Sequence, residues 1–254
     1  MRKQLDAAVL KSNDIHFMTE YEMAKISENQ TPYEYRLDKT KYNFESIYEA
    51  ASLSGKKGTE IVELQIELLN HENNIVKYWA SIGLMSQNKV LLKPYEDKLN
   101  QAINDEYAPV SITISALLHD KFKSKKGTLV LNEFSKSRNK FLALMAINYM
   151  LYTNDKTVFI NTITELNKQE NLDRTVKNAC KDFLEVIAWL FEEVLFLPHQ
   201  FLTSLELKNW WLANGVNFIF IAVGFTALVY WINQLKTFND KGEENKDPSA
   251  HSFL

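Results

Sequence analysis

The chain has 254 residues, with 29 Lys and Arg against 32 Asp and Glu and a formal net charge of -3. This length can hold one large domain or two small ones, whereas the interleaved lysines and acids exclude the strongly basic surface that nucleic acid requires. We therefore expect no DNA or RNA partner. Only 7 Gly and 5 Pro leave few turn signals, and apolar residues recur with helical spacing, so the predicted fold is all-α.

Residues 1–57 form the first predicted segment, which is helical. Its opening stretch, MRKQLDAAVLKSNDIHF, has basic residues but no apolar run of the length that a secretory signal needs. We expect it to be part of a folded domain rather than an export signal.

Residues 58–182 are predicted to form helical repeats, because four segments superpose when the chain is shifted by 32 to 34 residues. These segments are NNIVKYWASIGL, YAPVSITISALL, NKFLALMAINYM and DRTVKNACKDFL. Each carries three core positions spaced four apart, which are Val76, Ala80 and Leu84; Val110, Ile114 and Leu118; Leu142, Ala146 and Met150; and Val176, Cys180 and Leu184.

Positions four apart drift slowly around a helix, so each set of three forms one buried ridge. A period of this length is that of a helix–turn–helix unit, and it predicts a HEAT-like α-solenoid. A non-repetitive helical bundle with coincidental spacing is the alternative.

Residues 183–254 differ in character from the repeats. The stretch FLEVIAWLFEEVLFLP predicts an amphipathic helix with an acidic face at Glu185, Glu192 and Glu193, broken at Pro198. The uncharged run 210–232 follows, and as a helix it would be about 35 Å long, enough to cross a membrane once. Aromatic side chains at both ends would anchor it at the two interfaces, namely Trp210, Trp211, Tyr230 and Trp231.

A polar, acidic tail follows this span. The span predicts membrane lipid as a partner, and the expected location is a bacterial inner membrane. A buried helix of a soluble protein is the alternative to a membrane span. Lys236, Lys241 and Lys246 follow the span while only Lys208 closely precedes it, which by the positive-inside rule favours a cytoplasmic C-terminus. That orientation would require export of the preceding chain without a signal peptide, so the two cues conflict and the orientation stays open.

The first 190 residues resemble the C-terminal part of alkaline-phosphatase-like sulfatases of Bacteroidota, in the subgroup whose catalytic domain precedes HEAT-like repeats. The resemblance rests on ordered landmarks, LDAAVLKSNDIHFMTEYEM, TPYEY, FESIYEAASLSG and LLNHENNIVKYWASIGL. It departs at His16 and Thr19, where the family turn has Gly and Pro. The resemblance implies that the catalytic core would lie upstream of Met1 and could be a protein partner of the repeat surface.

These sulfatases use a formylglycine from a C/S-x-P/A-x-R motif beside a calcium ion held by Asp and Asn, and the chain contains no such motif. Cys180, in KNACKDF, lies on a predicted apolar ridge and is interpreted as a core residue. The five histidines, His16, His71, His119, His199 and His251, lack metal-ligand spacing. We expect no catalytic residue, no metal and no cofactor.

Residues 183–254 resemble a small, uncharacterised single-span membrane protein family of flavobacteria, through LFLP, NWWLAN, YWINQLK and the NDKGEENKD tail. The chain therefore looks like two joined pieces, with the joint between residues 170 and 185. A genuine fusion, a deletion product and a gene-model artefact all fit this pattern. The expected function is a membrane-anchored, non-catalytic scaffold; the alternatives are the separated C-terminal part of a polysaccharide sulfatase and a gene remnant.

Overall fold

The structure is a computed structural model that describes residues 2–206 and 209–242, and within these ranges all regular structure is helical. The all-α prediction is thus confirmed for the described residues. The chain divides into two compact units, Met1–Ile187 and Ala188–Leu254. The first unit includes both of the first two predicted segments, and the division into 1–57, 58–182 and 183–254 stays a prediction.

Helices of the first unit come in the order in which the sequence pattern places them. They are α1 (Arg2–Ser12), α2 (Glu20–Ser27), α3 (Pro32–Tyr35), α4 (Phe44–Leu53), α5 (Thr59–Leu68), α6 (Asn74–Ser86), α7 (Lys89–Leu92), α8 (Glu96–Ala102), α9 (Ala108–Phe122), α10 (Lys125–Ser135), α11 (Lys140–Tyr152), α12 (Ile160–Asn167) and α13 (Arg174–Leu190). Short 3-10 turns lie at Ile15–Phe17, Lys93–Tyr95 and Thr157–Phe159.

In three of the four predicted repeats, the second helix begins where the sequence supplies a cap. Asn73 and Asn139 each accept hydrogen bonds from two backbone amides at the start of α6 and α11, and Asp173 does the same for α13. A side-chain oxygen there satisfies amides that have no partner within the helix. Repetition of the cap in three of the four units explains why the helix starts recur with the repeat period.

Helices of successive repeats stack in chain order. The second helices α6, α9 and α11 pack side by side, and the first helices α5, α8 and α10 pack against their own partners. Helix α9 is central, with its residues from Pro109 to His119 all buried. This packing is the arrangement that the 32 to 34 residue period predicts, while the closer likeness to HEAT repeats stays a prediction.

Hydrogen bonds also connect positions one repeat apart. Lys121 Nζ donates to the Gln87 carbonyl at 2.7 Å, across a separation of 34 residues. Asn154 donates from its backbone amide and from its side chain to Asp120 Oδ1 at 2.9 and 2.7 Å, again across 34 residues. Polar groups at the ends of the second helices therefore bridge neighbouring repeats and fix their register.

The N-terminal segment packs onto this stack. Tyr21 of α2 contacts two of the hydrophobic clusters of the repeats, and Thr19 Oγ1 lies 3.1 Å from the Tyr107 hydroxyl. The Trp79 ring nitrogen donates to the Phe17 carbonyl at 2.8 Å. The segment before the repeats is therefore part of the same packed unit.

A largely buried ion pair joins α6 to the start of α9. Lys77 Nζ lies 2.8 and 2.9 Å from the two carboxylate oxygens of Asp105, and both side chains are only about 15 % exposed. Asp105 also accepts the backbone amide of Tyr107 at 2.8 Å. Removal of the lysine would leave a carboxylate with little access to water.

We expect Lys77→Met to lower the free energy of unfolding by about 2–3 kcal/mol. This loss is smaller than that from breaking a fully buried ion pair, because some solvent reaches both groups. The matched control is Lys41→Met, since the Lys41–Asp38 pair is 3.6 Å apart and well exposed. That control should cost less than about 0.5 kcal/mol. Chemical denaturation followed by circular dichroism measures both, and equal midpoints would contradict a structural role for the buried pair.

Candidate functional site

The second unit begins within α13 and consists of short helices that lead to one long helix. A π-helical turn at Phe191–Leu195 follows α13, and then come α14 (Leu197–Glu206), α15 (Trp210–Ala213) and α16 (Gly215–Lys241). The predicted break at Pro198 is wrong, because the interruption comes earlier and Pro198 lies in the first turn of α14. Proline is tolerated there since the first-turn amides have no partner within the helix.

The long helix begins later than the predicted span. Asn214 leaves the helical conformation at φ -85° and ψ 0°, and α16 starts at Gly215. The Asn214 side chain donates to the Trp210 carbonyl at 2.9 Å and accepts from Asn217 at 3.0 Å. Trp210 and Trp211 are therefore on α15 and not on α16, which corrects the prediction of one continuous helix over 210–232.

Helix α16 is the one described helix that is long and apolar enough to cross a membrane, with the candidate span at Asn217–Lys241. Its 27 residues give a length of about 40 Å. No residue in the apolar window of the span is buried within the described part of the chain. A core helix of a soluble protein would be mostly buried, so the uncovered surface favours a membrane environment over a protein interior.

Aromatic rings mark both ends of the apolar stretch. Tyr230 and Trp231 are well exposed on α16, close to where Asn233 and Lys236 introduce polarity. At the other end the Trp211 ring stacks on Phe218 with centroids 5.8 Å apart, and Trp210 lies edge-on to Trp211 at 5.0 Å. Although α15 is a separate helix, these contacts hold both tryptophans at the start of α16.

All twelve predicted ridge positions lie in the first unit, and all but one of them are buried. Eleven of them are buried, which are Val76, Ala80, Leu84, Val110, Ile114, Leu118, Leu142, Ala146, Met150, Val176 and Cys180. Leu184 is only partly buried, and the buried stripe of α13 continues instead through Phe183 and Ile187. Each residue advances about 100° around a helix, so positions spaced four apart move about 40° per step away from the buried face. A step of three residues moves about 60° in the opposite direction and brings the next position back to that face.

Two side chains that could act as a nucleophile or a metal ligand, Cys180 and His119, are buried in the first unit. Burial raises the pKa of the Cys180 thiol to about 11, so the thiolate that nucleophilic chemistry requires is scarce at neutral pH. His119 is buried, with Nδ1 2.9 Å from Thr128 Oγ1 and Nε2 3.1 Å from the Asp155 carbonyl. Within residues 2–206 and 209–242, no three His, Cys, Asp or Glu side chains converge as a metal site would require.

One comparison with known proteins bears on the end of the chain. Residues 203–252 match the model of a family of unknown function (DUF6341). The DUF6341 match covers 50 of the 254 residues, including α15 and α16, and the family description states no activity. No curated protein and no solved structure matches the chain.

Sequence reasoning missed the break between α15 and α16. The signal was present, because Asn209 caps α15 by accepting the Leu212 amide at 3.2 Å, and the pair Asn214 and Gly215 begins five residues after Asn209. A capping residue before WWLA and an Asn-Gly pair after it are typical boundaries of a short helix. The uncharged composition of the whole run concealed these boundaries.

Proposed function

We propose that the chain is a membrane-anchored scaffold, in which α16 crosses a lipid bilayer and a stack of helices presents a surface for a protein partner. The observation that supports this most directly is the uncovered apolar surface of α16. Water disfavours that surface, and lipid accommodates it.

The packed first unit fits interaction better than catalysis. Polar groups in it bridge neighbouring repeats, as in the Lys121 to Gln87 and Asn154 to Asp120 hydrogen bonds, and Cys180 is a buried thiol whose pKa is raised by burial. A stack of helical repeats offers an extended surface to another protein. The sequence resemblance suggests one specific partner, the catalytic domain of a sulfatase supplied by another chain.

We propose a bacterial inner membrane for the anchor, in which Lys236 and Lys241, after the apolar stretch of α16, contact the headgroup layer of one leaflet. Extraction of membranes at alkaline pH tests the anchor, because it removes proteins that only associate with the surface. Localisation of the chain by fractionation of inner and outer membranes tests the finer assignment.

The alternative function is that of a separated C-terminal part of a polysaccharide sulfatase, which the landmarks shared with that family favour. If the chain were itself catalytic, it would hydrolyse sulfate esters without a partner. We expect the purified chain to release no product from aryl sulfates or sulfated glycans, with or without added calcium, because it lacks the motif that supplies the nucleophile.

The matched control for this assay is Cys180→Ala, which removes the one thiol of the chain. Turnover by the original chain that is lost in Cys180→Ala would contradict the non-catalytic assignment. Activity that appears only on addition of a sulfatase core would instead favour the separated-part alternative.

A further inference from the structure

The chain between the repeat unit and α16 exposes an unusual density of large apolar side chains. In the described residues 190–206 and 209–212, which we call the interfacial segment, eight such side chains are 41 to 72 % exposed, namely Leu190, Phe191, Phe196, Leu197, Phe201, Trp210, Trp211 and Leu212. Contiguous apolar surface of this kind on a protein marks a site of contact with another molecule or with a membrane.

The apolar positions follow the helical period rather than a random distribution. Steps of three and four residues from Ile187 lead to Leu190 and Phe191, so the stripe buried in α13 continues past the end of the first unit. In α14, Leu197 and Phe201 are four apart and share one side. Thr203 lies about 200° around the helix from Phe201, and its hydroxyl donates to the His199 carbonyl at 3.0 Å. The helix therefore has an apolar and a polar side.

Contacts within the second unit connect this segment to the candidate span. Helix α14 packs against α15, and the Trp211 ring of α15 stacks on Phe218 of α16. The interfacial segment is therefore held at the end of α16 where the chain would enter the bilayer. Trp and Phe beside the entry point of a span are typical of the boundary between headgroups and acyl chains.

We infer that the interfacial segment is a second membrane-contacting element, which lies in the headgroup and upper acyl layer of the same bilayer with the side of Leu197 and Phe201 toward lipid. This inference rests on the proposed function of α16 as a span. The charges of the segment indicate the kind of lipid it contacts. Lys208 is the one Lys or Arg between residues 188 and 214, and the segment also exposes Glu192 and Glu193, so it has little positive charge to attract anionic headgroups. The contact is therefore apolar, and it does not depend on anionic headgroups.

Site-directed spin labelling of the full chain tests the inference. Single cysteines replace Phe201, Thr203 and Ile221 in a Cys180→Ala background, and each protein is reconstituted in phosphatidylcholine vesicles. Oxygen, which concentrates in lipid, and a water-soluble nickel chelate then report the surroundings of each label. We expect the label at 201 to be several-fold more accessible to oxygen, relative to nickel, than the label at 203, and the label at 221 to be the most lipid-exposed.

Failure of this inference can be distinguished from failure of the span. Labels at 201 and 203 that are equally accessible to nickel, beside a label at 221 in lipid, would overturn the interfacial contact and leave the span intact. A label at 221 in water would overturn both. A label at 201 shielded from both reagents would show a protein contact and overturn the inference.

Leu197→Cys repeats the apolar-side measurement in case Phe201→Cys perturbs α14. Far-ultraviolet circular dichroism of every variant confirms that it is folded. Replacement of part of the phosphatidylcholine by phosphatidylglycerol should leave the pattern unchanged, and a contact that forms only with the anionic lipid would contradict the apolar assignment.

Discussion

Gly127→Ala should destabilise the first unit although alanine is the better helix former. Gly127 lies in the first turn of α10, where α10 contacts the backbone of α9. A β-carbon at this position would lie 2.6 Å from the Ser115 carbonyl oxygen and 3.1 Å from the His119 amide nitrogen. Both are backbone atoms, so no side-chain rotation relieves the overlap and the two helices must separate.

We expect a net loss of about 1–2 kcal/mol in the free energy of unfolding, since overpacking against backbone costs about 2–3 kcal/mol and the gain in helix propensity offsets only about 1 kcal/mol of it. The matched control is Gly55→Ala, because a β-carbon there meets no atom within 4 Å and the backbone does not need a positive φ. Gly55→Ala should be neutral or slightly stabilising. Thermal and urea denaturation measure both variants, and a Gly127→Ala protein as stable as the control would contradict the close approach of α9 and α10.

Two arginines at the centre of α16 should abolish membrane insertion. Ten Leu, Ile, Val and Phe residues lie between 216 and 232 and together favour insertion by about 3–6 kcal/mol. Val223→Arg with Phe225→Arg places two charges at the middle of this stretch, at a cost of about 5–7 kcal/mol plus the lost contribution of the replaced side chains. The cost cancels the whole driving force, so the double variant should lose its retention in membranes.

The matched control carries the same charge change at the polar end of the same helix, as Thr237→Arg with Asn239→Arg. Arginine near the end of a span extends its guanidinium to the headgroups, so this variant should stay in the membrane fraction. Fractionation of cells that express each protein at equal levels measures the difference. Equal membrane retention of the two double variants would show that α16 does not cross the bilayer.

The buried positions of the second helices could be predicted from the sequence because helical periodicity is a local property. Val76, Val110 and Leu142 are all buried, and Asn73 and Asn139 cap the helices that carry Val76 and Leu142. Both signals depend on residues within one helix, and neither needs knowledge of tertiary contacts.

Prediction failed where the outcome depends on contacts distant in sequence or on exact geometry. The ridge through Leu184 assumed a constant step of four, whereas the helix returns to the core through Phe183. The contact between Thr19 and Tyr107 joins residues 88 apart, and no periodic pattern reports it. The requirement for glycine at position 127 likewise arises from tertiary structure, because the backbone of α9 leaves no room for a β-carbon there.

The break at Asn214 was missed because hydrophobicity averaged over 210–232 outweighed two local boundary signals. Its consequence is functional, since it separates Trp210 and Trp211 from the span and assigns them to the interfacial segment. In the candidate site, the sequence therefore indicated the presence of an apolar span, and the structure located where that span begins.

Extraction of membranes with sodium carbonate at alkaline pH tests most directly the claim that α16 anchors this protein. The full chain is expressed, membranes are collected and washed, and pellet and supernatant are probed after extraction beside a known integral protein and a known peripheral protein. We predict that the intact chain stays in the pellet with the integral protein. Release of the intact chain into the supernatant with the peripheral protein would contradict the membrane span.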